Sequence, residues 1–214
     1  MARTVAPLLS FDARGAIAKT QVYSNWKGIP YVRRYTVPSN PQTAEQDLTR
    51  NTFRWLNNVW KFMPSASTAA WAAYADSNRF TDRNGFIKQN NGPLRTETDL
   101  TLMVLSPSAK SGIVAAGIVT TPGANSITVD ITAPALPTGW TIAKGVAAAI
   151  RDQDPQTEAF YTVTAGEDAT STYQVVLSGL TSAVSYLVGA WFVFNRPDGS
   201  LAYGQSLQEF ETPS

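Results

Sequence analysis

The sequence has no cysteine and no histidine among its 214 residues. The first absence excludes disulfide frameworks, thiol nucleophiles and thiolate metal sites. The second removes the commonest metal ligand and the commonest general base. An enzyme built on this chain would have to run on carboxylates, lysine, tyrosine, serine or threonine. Charge is sparse, at 15% Asp, Glu, Lys and Arg, while a hydrophobic fraction of 43% is enough to fold most of the chain. Long apolar runs are also lacking: the stretches around Leu100–Leu105 and Ser185–Phe194 are too short to span a bilayer. The opening MARTVAPLLSFDARG carries neither a signal-peptide core nor a cleavage site. The expectation is a soluble, non-secreted, non-catalytic protein of one or two domains, with no cofactor and no metal.

The charge that is present is unevenly placed. The totals of 17 Lys+Arg and 16 Asp+Glu give a net charge of +1. Up to Ser111 there are 14 basic and 7 acidic residues, about +7; from Gly112 there are 3 basic and 9 acidic, about −6. Trp26, Trp55, Trp60 and Trp71, four of the six tryptophans, lie in the first part. The expected division is a basic, Trp-rich anchoring module at 1–106, a linker at 107–111 within Ser-Pro-Ser-Ala-Lys-Ser-Gly, and an acidic β-sandwich at 112–214. A chain starting near Gly112 is then expected to fold alone.

Within the basic part, residues 16–37 read as two short strands around a turn supplied by Tyr23–Gly28, with Gly28 available for positive φ. The second strand places Ile29, Tyr31, Arg33, Tyr35 and Val37 on one face and Val32, Arg34 and Thr36 on the other. A helical pair follows. Asn40 is an N-cap candidate, Pro41 suits the first turn, and Glu45 and Asp47 complement the dipole. Leu48, Thr52, Trp55, Val59 and Phe62 or Met63 recur at helical spacing until Pro64. Ser65 is expected to cap a second helix turning Ala69, Trp71, Ala72, Tyr74 and Ala75 inward, with Trp55, Trp60 and Trp71 in the seam. Residues 86–91 add one helical turn before the Asn91-Gly92-Pro93 break, and 94–106 lean towards extended chain.

The acidic part reads as all-β. Short runs appear at 112–120, 126–132, 144–152, 159–165, 172–177, 184–194 and 201–212. Pro122-Gly123, Pro137-Thr138-Gly139, Asp154-Pro155, Gly166, Ser178-Gly179 and Pro197-Asp198-Gly199 separate them. Seven strands in about 100 residues match a seven-stranded sandwich. Leu177-Ser178-Gly179-Leu180, with Tyr186 six residues later, resembles the fibronectin type III pattern, which implies a tyrosine corner at Tyr186. The fold class is therefore an α+β N-terminal module followed by an immunoglobulin- or fibronectin-III-like sandwich.

Candidate chemistry is thin. Asp152–Glu158 loosely resembles a calcium loop but lacks the bend glycine and the distal bidentate glutamate, so it reads as a solvated turn, as does Gly166-Glu167-Asp168. No phosphate-binding glycine pattern and no nucleophile motif is present. Lys27, Arg33, Arg34, Arg50, Arg54 and Lys61, interleaved with Trp26, Tyr31 and Tyr35, invite a nucleic-acid reading. Against it, Arg33 and Arg34 point to opposite strand faces, and Glu45 and Asp47 balance the helical arginines. Trp140, Tyr161 and Tyr203 are the alternative, a carbohydrate-stacking platform for a host-surface glycan.

A second resemblance covers roughly residues 10–90. Trp26-Lys27-Gly28, then Tyr31-Val32-Arg33, and Asn40-Pro41-Gln42-Thr43-Ala44-Glu45-Gln46 are similar to a motif of small phage and prophage virion proteins, a hairpin leading into a helix with Arg, Phe and Trp. Arg50, Phe53, Trp60, Trp71 and Phe86 fall where that pattern continues. The resemblance implies a virion structural protein, assembled in the host cytoplasm, whose partners are other virion proteins and copies of itself. Nucleic acid and membrane are not expected partners. Trp26, Tyr31, Arg33, Arg34, Tyr35, Arg54 and Trp60 are the expected anchor residues; Pro41, Trp55, Trp71, Leu177, Leu180 and Tyr186 are the expected structural ones. Capsid decoration is favoured over a tail-tube or baseplate role because the chain is short and lacks fibre-like repeats.

Overall fold

A computed structural model describes residues 2–3, 15–37, 39, 42–97, 99–156 and 163–214. The chain divides into two compact units, Met1–Gln42 and Thr43–Ser214. Among the described residues the fold is mixed, with three α-helices and several antiparallel sheets.

In the first unit, Lys27 and Gly28 both take positive φ (51° and 79°), a two-residue turn whose twist suits a hairpin. It joins β3 (Gln21–Trp26) to β4 (Ile29–Arg34), so the turn is shorter than expected and Tyr23–Trp26 belong to the strand. β1 (Ala2–Arg3) and β2 (Gly15–Ile17) flank the pair, giving the antiparallel order β1-β4-β3-β2. The two added strands answer the marginal stability of a lone hairpin.

The second unit opens with α1 (Ala44–Lys61). Its N-cap is Thr43, whose hydroxyl accepts from the Gln46 amide at 3.4 Å. Asn40 and Pro41, the expected cap and first turn, lie outside the described residues. α2 (Ser65–Asn78) has Pro64 rather than Ser65 at its N-cap, and it buries Ala66, Ser67, Ala70, Trp71 and Ala75 while Ala72 faces solvent. α3 (Asp82–Thr96) is a full helix where a single turn was expected. Gly85 in its first turn lies against neighbouring rings: a Cβ there would sit 2.7 Å from a Phe80 ring carbon and 3.5 Å from Trp71. Pro93 falls in its last turn, and the buried Leu94 follows directly. α3, rather than a direct α1–α2 seam, packs against both other helices. Phe86 stacks 5.5 Å from Trp60 and 5.6 Å from Trp71.

After a 3-10 turn at Leu100–Leu102, the expected extended segment is an irregular but buried one: Met103, Leu105 and Ser106 are all covered. The Leu105 carbonyl accepts from the Trp71 indole N–H at 3.1 Å and from the Ser67 hydroxyl. Residues 107–111 are not a free linker. Ala109 and Tyr203 exchange backbone hydrogen bonds at 3.0 and 2.9 Å, and the Ser111 hydroxyl donates to the Tyr203 carbonyl at 2.7 Å. The division at Gln42/Thr43 therefore replaces the one expected at 107–111.

The strands that follow are β5 (Gly117–Gly123), β6 (Ser126–Thr132), β7 (Thr141–Arg151), β8 (Val163–Asp168), β9 (Gln174–Ser178), β10 (Tyr186–Asn195), β11 (Leu201–Tyr203) and β12 (Leu207–Glu211). They form a three-stranded sheet β5-β6-β9 and a five-stranded sheet β8-β7-β10, with β11 and β12 both paired to the far side of β10. Pro122-Gly123 lies in β5, and the turn falls at Ala124-Asn125 instead. Gly166 is a strand residue rather than a turn, because a Cβ there would sit 2.8 Å from a Val175 methyl of β9. The expected single strand 201–212 breaks at Gly204–Ser206 to engage the chain before the strands. The Ser106 hydroxyl donates to the Gly204 carbonyl at 2.9 Å, and the Ser206 hydroxyl accepts from the Leu105 amide at 3.1 Å.

β10 is buried on both faces. Val188, Ala190, Phe192 and Phe194 meet Ile127, Val129, Ile131, Val175 and Leu177 between the sheets. Leu187, Trp191 and Val193, with Val146, Ala148 and Ile150 of β7, meet Trp55, Trp71, Phe86, Leu94 and Leu105 from the helical layer. The second unit thus has three layers: helices, five-stranded sheet, three-stranded sheet. A strand with apolar neighbours on both sides reads as an unbroken apolar run, and Tyr-Leu-Val-Gly-Ala-Trp-Phe-Val-Phe at 186–194 is one.

Candidate partner-binding surface

The register of β3 and β4 distributes the basic and aromatic residues of the first unit. Pairing of Trp26 with Ile29, Ser24 with Tyr31 and Val22 with Arg33 puts these six on one face. Pairing of Tyr23 with Val32 and Gln21 with Arg34 puts the second arginine on the other. Trp26 is 65% exposed, and the Lys27 ammonium lies 5.1 Å from its ring centroid, a cation–π contact at the hairpin tip. Ile29 and Arg33 are also exposed, whereas Tyr31 and Tyr35 are half-buried. This face therefore combines apolar, aromatic and cationic groups, the composition enriched at interface hot spots. Tyr23 is buried, and its hydroxyl donates to the Gln21 side chain at 3.1 Å.

The expected anchor residues fall in both compact units. Trp26, Tyr31 and Arg33 share a face, Arg34 is opposite, and Arg54 and Trp60 belong to the other compact unit. Trp60 is half-buried against the helical core, beside Phe86, which makes it a packing residue. Arg54 is exposed and donates to Asn51 at 3.3 Å, and Arg50 pairs with Asp47 at 3.5 Å. Of the expected structural residues, Trp55, Trp71, Leu177, Leu180 and Tyr186 are all buried; Pro41 lies outside the described residues.

The other candidate sites resolve into turns and core. The Asp154 carboxylate accepts from the Gln156 amide at 2.8 Å, and the Gln156 side chain donates to the Leu94 and Arg95 carbonyls at the end of α3. Glu158 lies outside the described residues, among which no three acidic groups gather as metal ligands would. Asp168 closes the β8–β9 turn: its carboxylate accepts from the Thr170 hydroxyl and amide, the Thr172 hydroxyl and the Gln174 amide. These bonds, the Thr170 hydroxyl first, hold its pKa below the usual carboxylate value. Asp198 and Asp99 are lowered in the same way by Ser200 and Thr101. The stacking platform is not assembled: Tyr203 is buried, Tyr161 lies outside the described residues, and Trp140 is half-buried against Phe194 and under Arg196.

Among the described residues no helix is long and apolar enough to cross a membrane. No family model matches the sequence. No curated protein matches it either. Solved structures similar to this chain include one described as "Myokine structure", at 14% identity and a TM-score of 0.36, covering 49% of this chain and 100% of that one.

Proposed function

We propose that this chain is a non-enzymatic structural protein of a tailed-phage virion, attached to the particle through residues 1–42 and displaying a sandwich of the fibronectin type III kind. The observation that carries the attachment is the first unit itself. It is a small, separate sheet with an exposed Trp26 at its tip. It holds six basic residues (Arg3, Arg14, Lys19, Lys27, Arg33, Arg34) against one acidic residue, Asp12. From Thr43 onward the balance reverses, with 11 basic and 15 acidic residues. A basic, aromatic sheet face suits docking on an acidic protein surface, and many copies on a lattice would let modest contacts add through avidity. Arg33 and Arg34 on opposite faces do not make the single cationic track that nucleic acid requires.

The sandwich reading rests on strand order and one corner. The sheets β5-β6-β9 and β8-β7-β10 with β11 and β12 match seven strands, the last of them interrupted. The Tyr186 hydroxyl at the start of β10 accepts from the Thr181 amide at 3.0 Å, five residues upstream, as a tyrosine corner does. Attachment to the capsid is favoured over the tail because these 214 residues carry no fibre-like repeat. Electron microscopy of particles carrying a label at the C terminus tests the proposal: density on the head shell is expected, and a label bound to neither head nor tail would overturn it. In the same particles, Trp26→Ala combined with Arg33→Glu is expected to release the protein; retention at full occupancy would remove the first unit as the anchor.

A further inference from the structure

A recess of about 190 Å³ lies in the second unit, where α2, α3 and the connection between β11 and β12 come together over the irregular chain at 104–108. Its walls are held by hydrogen bonds on every side. The Asn90 side chain binds both the amide and the carbonyl of Val104, at 2.7 and 3.2 Å. The Trp71 indole N–H donates to the Leu105 carbonyl, and the Ser206 amide donates to the Ser106 carbonyl at 3.0 Å. Trp71 is fully covered, so the half-buried Tyr74 supplies the aromatic surface still open to the recess. The Tyr74 ring meets Trp71 edge-on at 5.7 Å and Phe80 at 5.8 Å, contacts that fix its orientation. Val104 and Pro107 complete the apolar side.

The polar side consists of neutral groups with capacity to spare. The Gln89 and Gln205 side chains are exposed on two different walls, and neither makes a hydrogen bond to another described residue. Nearby Gln208, in contrast, donates to the Met103 carbonyl and the Ser206 hydroxyl. The Ser111 hydroxyl donates its one proton to the Tyr203 carbonyl at 2.7 Å, so Ser108 is the donor in its 3.4 Å contact with Ser111. The Ser108 oxygen therefore keeps its acceptor capacity. No Asp, Glu, Lys or Arg lines the recess, so an ionic ligand would lose hydration there without meeting a counter-charge.

We propose that this recess binds one uncharged pyranose residue of a saccharide. The C–H face of the sugar lies on Tyr74, with Val104 and Pro107 beside it. A carboxamide matches a pair of vicinal hydroxyls, because its oxygen accepts from one while its NH₂ donates to the other. Gln89 and Gln205 each take such a pair, and Ser108 accepts from a further hydroxyl. An apolar wall with a few convergent polar groups is the usual build of a small-molecule site. The volume suits a single ring with its hydroxyls, since a cavity of about 150 Å³ accepts benzene. None of these residues belongs to the docking face of the first unit, so the site stands or falls without it.

Titration of the full chain with the methyl glycosides of glucose, galactose, mannose and N-acetylglucosamine tests the site. The readout is the side-chain NH₂ resonances of Gln89 and Gln205 and the backbone amides at 104–108. Glycerol and an oligoproline peptide are the controls. At least one glycoside is expected to shift these signals saturably in the millimolar range, the strength open to so small a neutral ligand. Gln89→Ala and Gln205→Ala should each weaken that glycoside about threefold or more, and together about tenfold or more. Neither should change the ligand-free melting temperature, because neither side chain has an internal hydrogen bond to lose. The proposal is overturned if no glycoside saturates, if glycerol or the peptide shifts the same signals equally, or if the double variant binds with undiminished affinity.

Discussion

Removing residues 1–111 takes the helical layer away from the face of the five-stranded sheet that it covers. Val146, Ile150, Leu187, Trp191 and Val193 are all essentially buried, and each faces that layer. Exposing a large apolar side chain costs about 1.5–3 kcal/mol, so five of them amount to roughly 7–15 kcal/mol. Domains of this size hold only about 5–15 kcal/mol of net stability. The hydrogen bonds of Leu105 and Ser106 with Gly204 and Ser206 are lost as well. A chain beginning at Gly112 is therefore expected to be molten or aggregated, the opposite of what the charge division alone leads one to expect. A chain beginning at Thr43 should unfold in one transition, with tryptophan fluorescence and far-ultraviolet circular dichroism coincident in urea. The reasoning is refuted if the chain from Gly112 unfolds cooperatively with a stability within about 2 kcal/mol of the longer one.

Three further perturbations probe particular contacts. Tyr186→Phe removes the acceptor of the Thr181 amide and should cost about 1 kcal/mol in denaturant titration; no change would remove the corner argument. Asn90 is buried between α3 and the chain at Val104, donating to the Phe86 and Val104 carbonyls and accepting from the Val104 amide at 2.7 Å. Asn90→Ala should cost about 2–4 kcal/mol, and a loss below about 1 kcal/mol would show that water replaces it. Asp168 has a pKa lowered on folding, so its contribution is present above the unfolded carboxylate value and is lost as pH falls through the lower folded one. Asp168→Asn should therefore flatten the acid side of the stability profile; unchanged acid sensitivity would remove this role.

Legibility in the sequence followed the reach of each interaction. The alternation Ser-Ile-Thr-Val-Asp-Ile-Thr placed β6 at its observed bounds, because one of its faces meets the core and the other meets water. Trp55 and Trp71 were readable as core from helical spacing. α3 was not, since Gly85 and Pro93 look like breaks, yet both lie inside the helix. The candidate anchor set mixed two kinds of residue for a related reason. Trp26 at a two-residue turn has nowhere to be buried within its strand pair, whereas Trp60 becomes core only because α3 brings Phe86 beneath it. The sequence carries one signal of the helical layer: β10 has no polar alternation, unlike β6 and β9.

The sequence by itself determined the absence of thiol and imidazole chemistry, a hairpin whose turn includes a positive-φ Gly28, the existence of the first two helices and of most strands, and the uneven charge. These depend on composition or on contacts a few residues apart, where backbone preference and periodicity decide. Only the tertiary structure decided that the helices and the sheets share one core, that the boundary falls at Gln42/Thr43, and that Tyr74, Gln89 and Gln205 line one recess. Those outcomes rest on pairs of residues separated by tens to more than a hundred positions, and no local pattern specifies which buried face will find which partner.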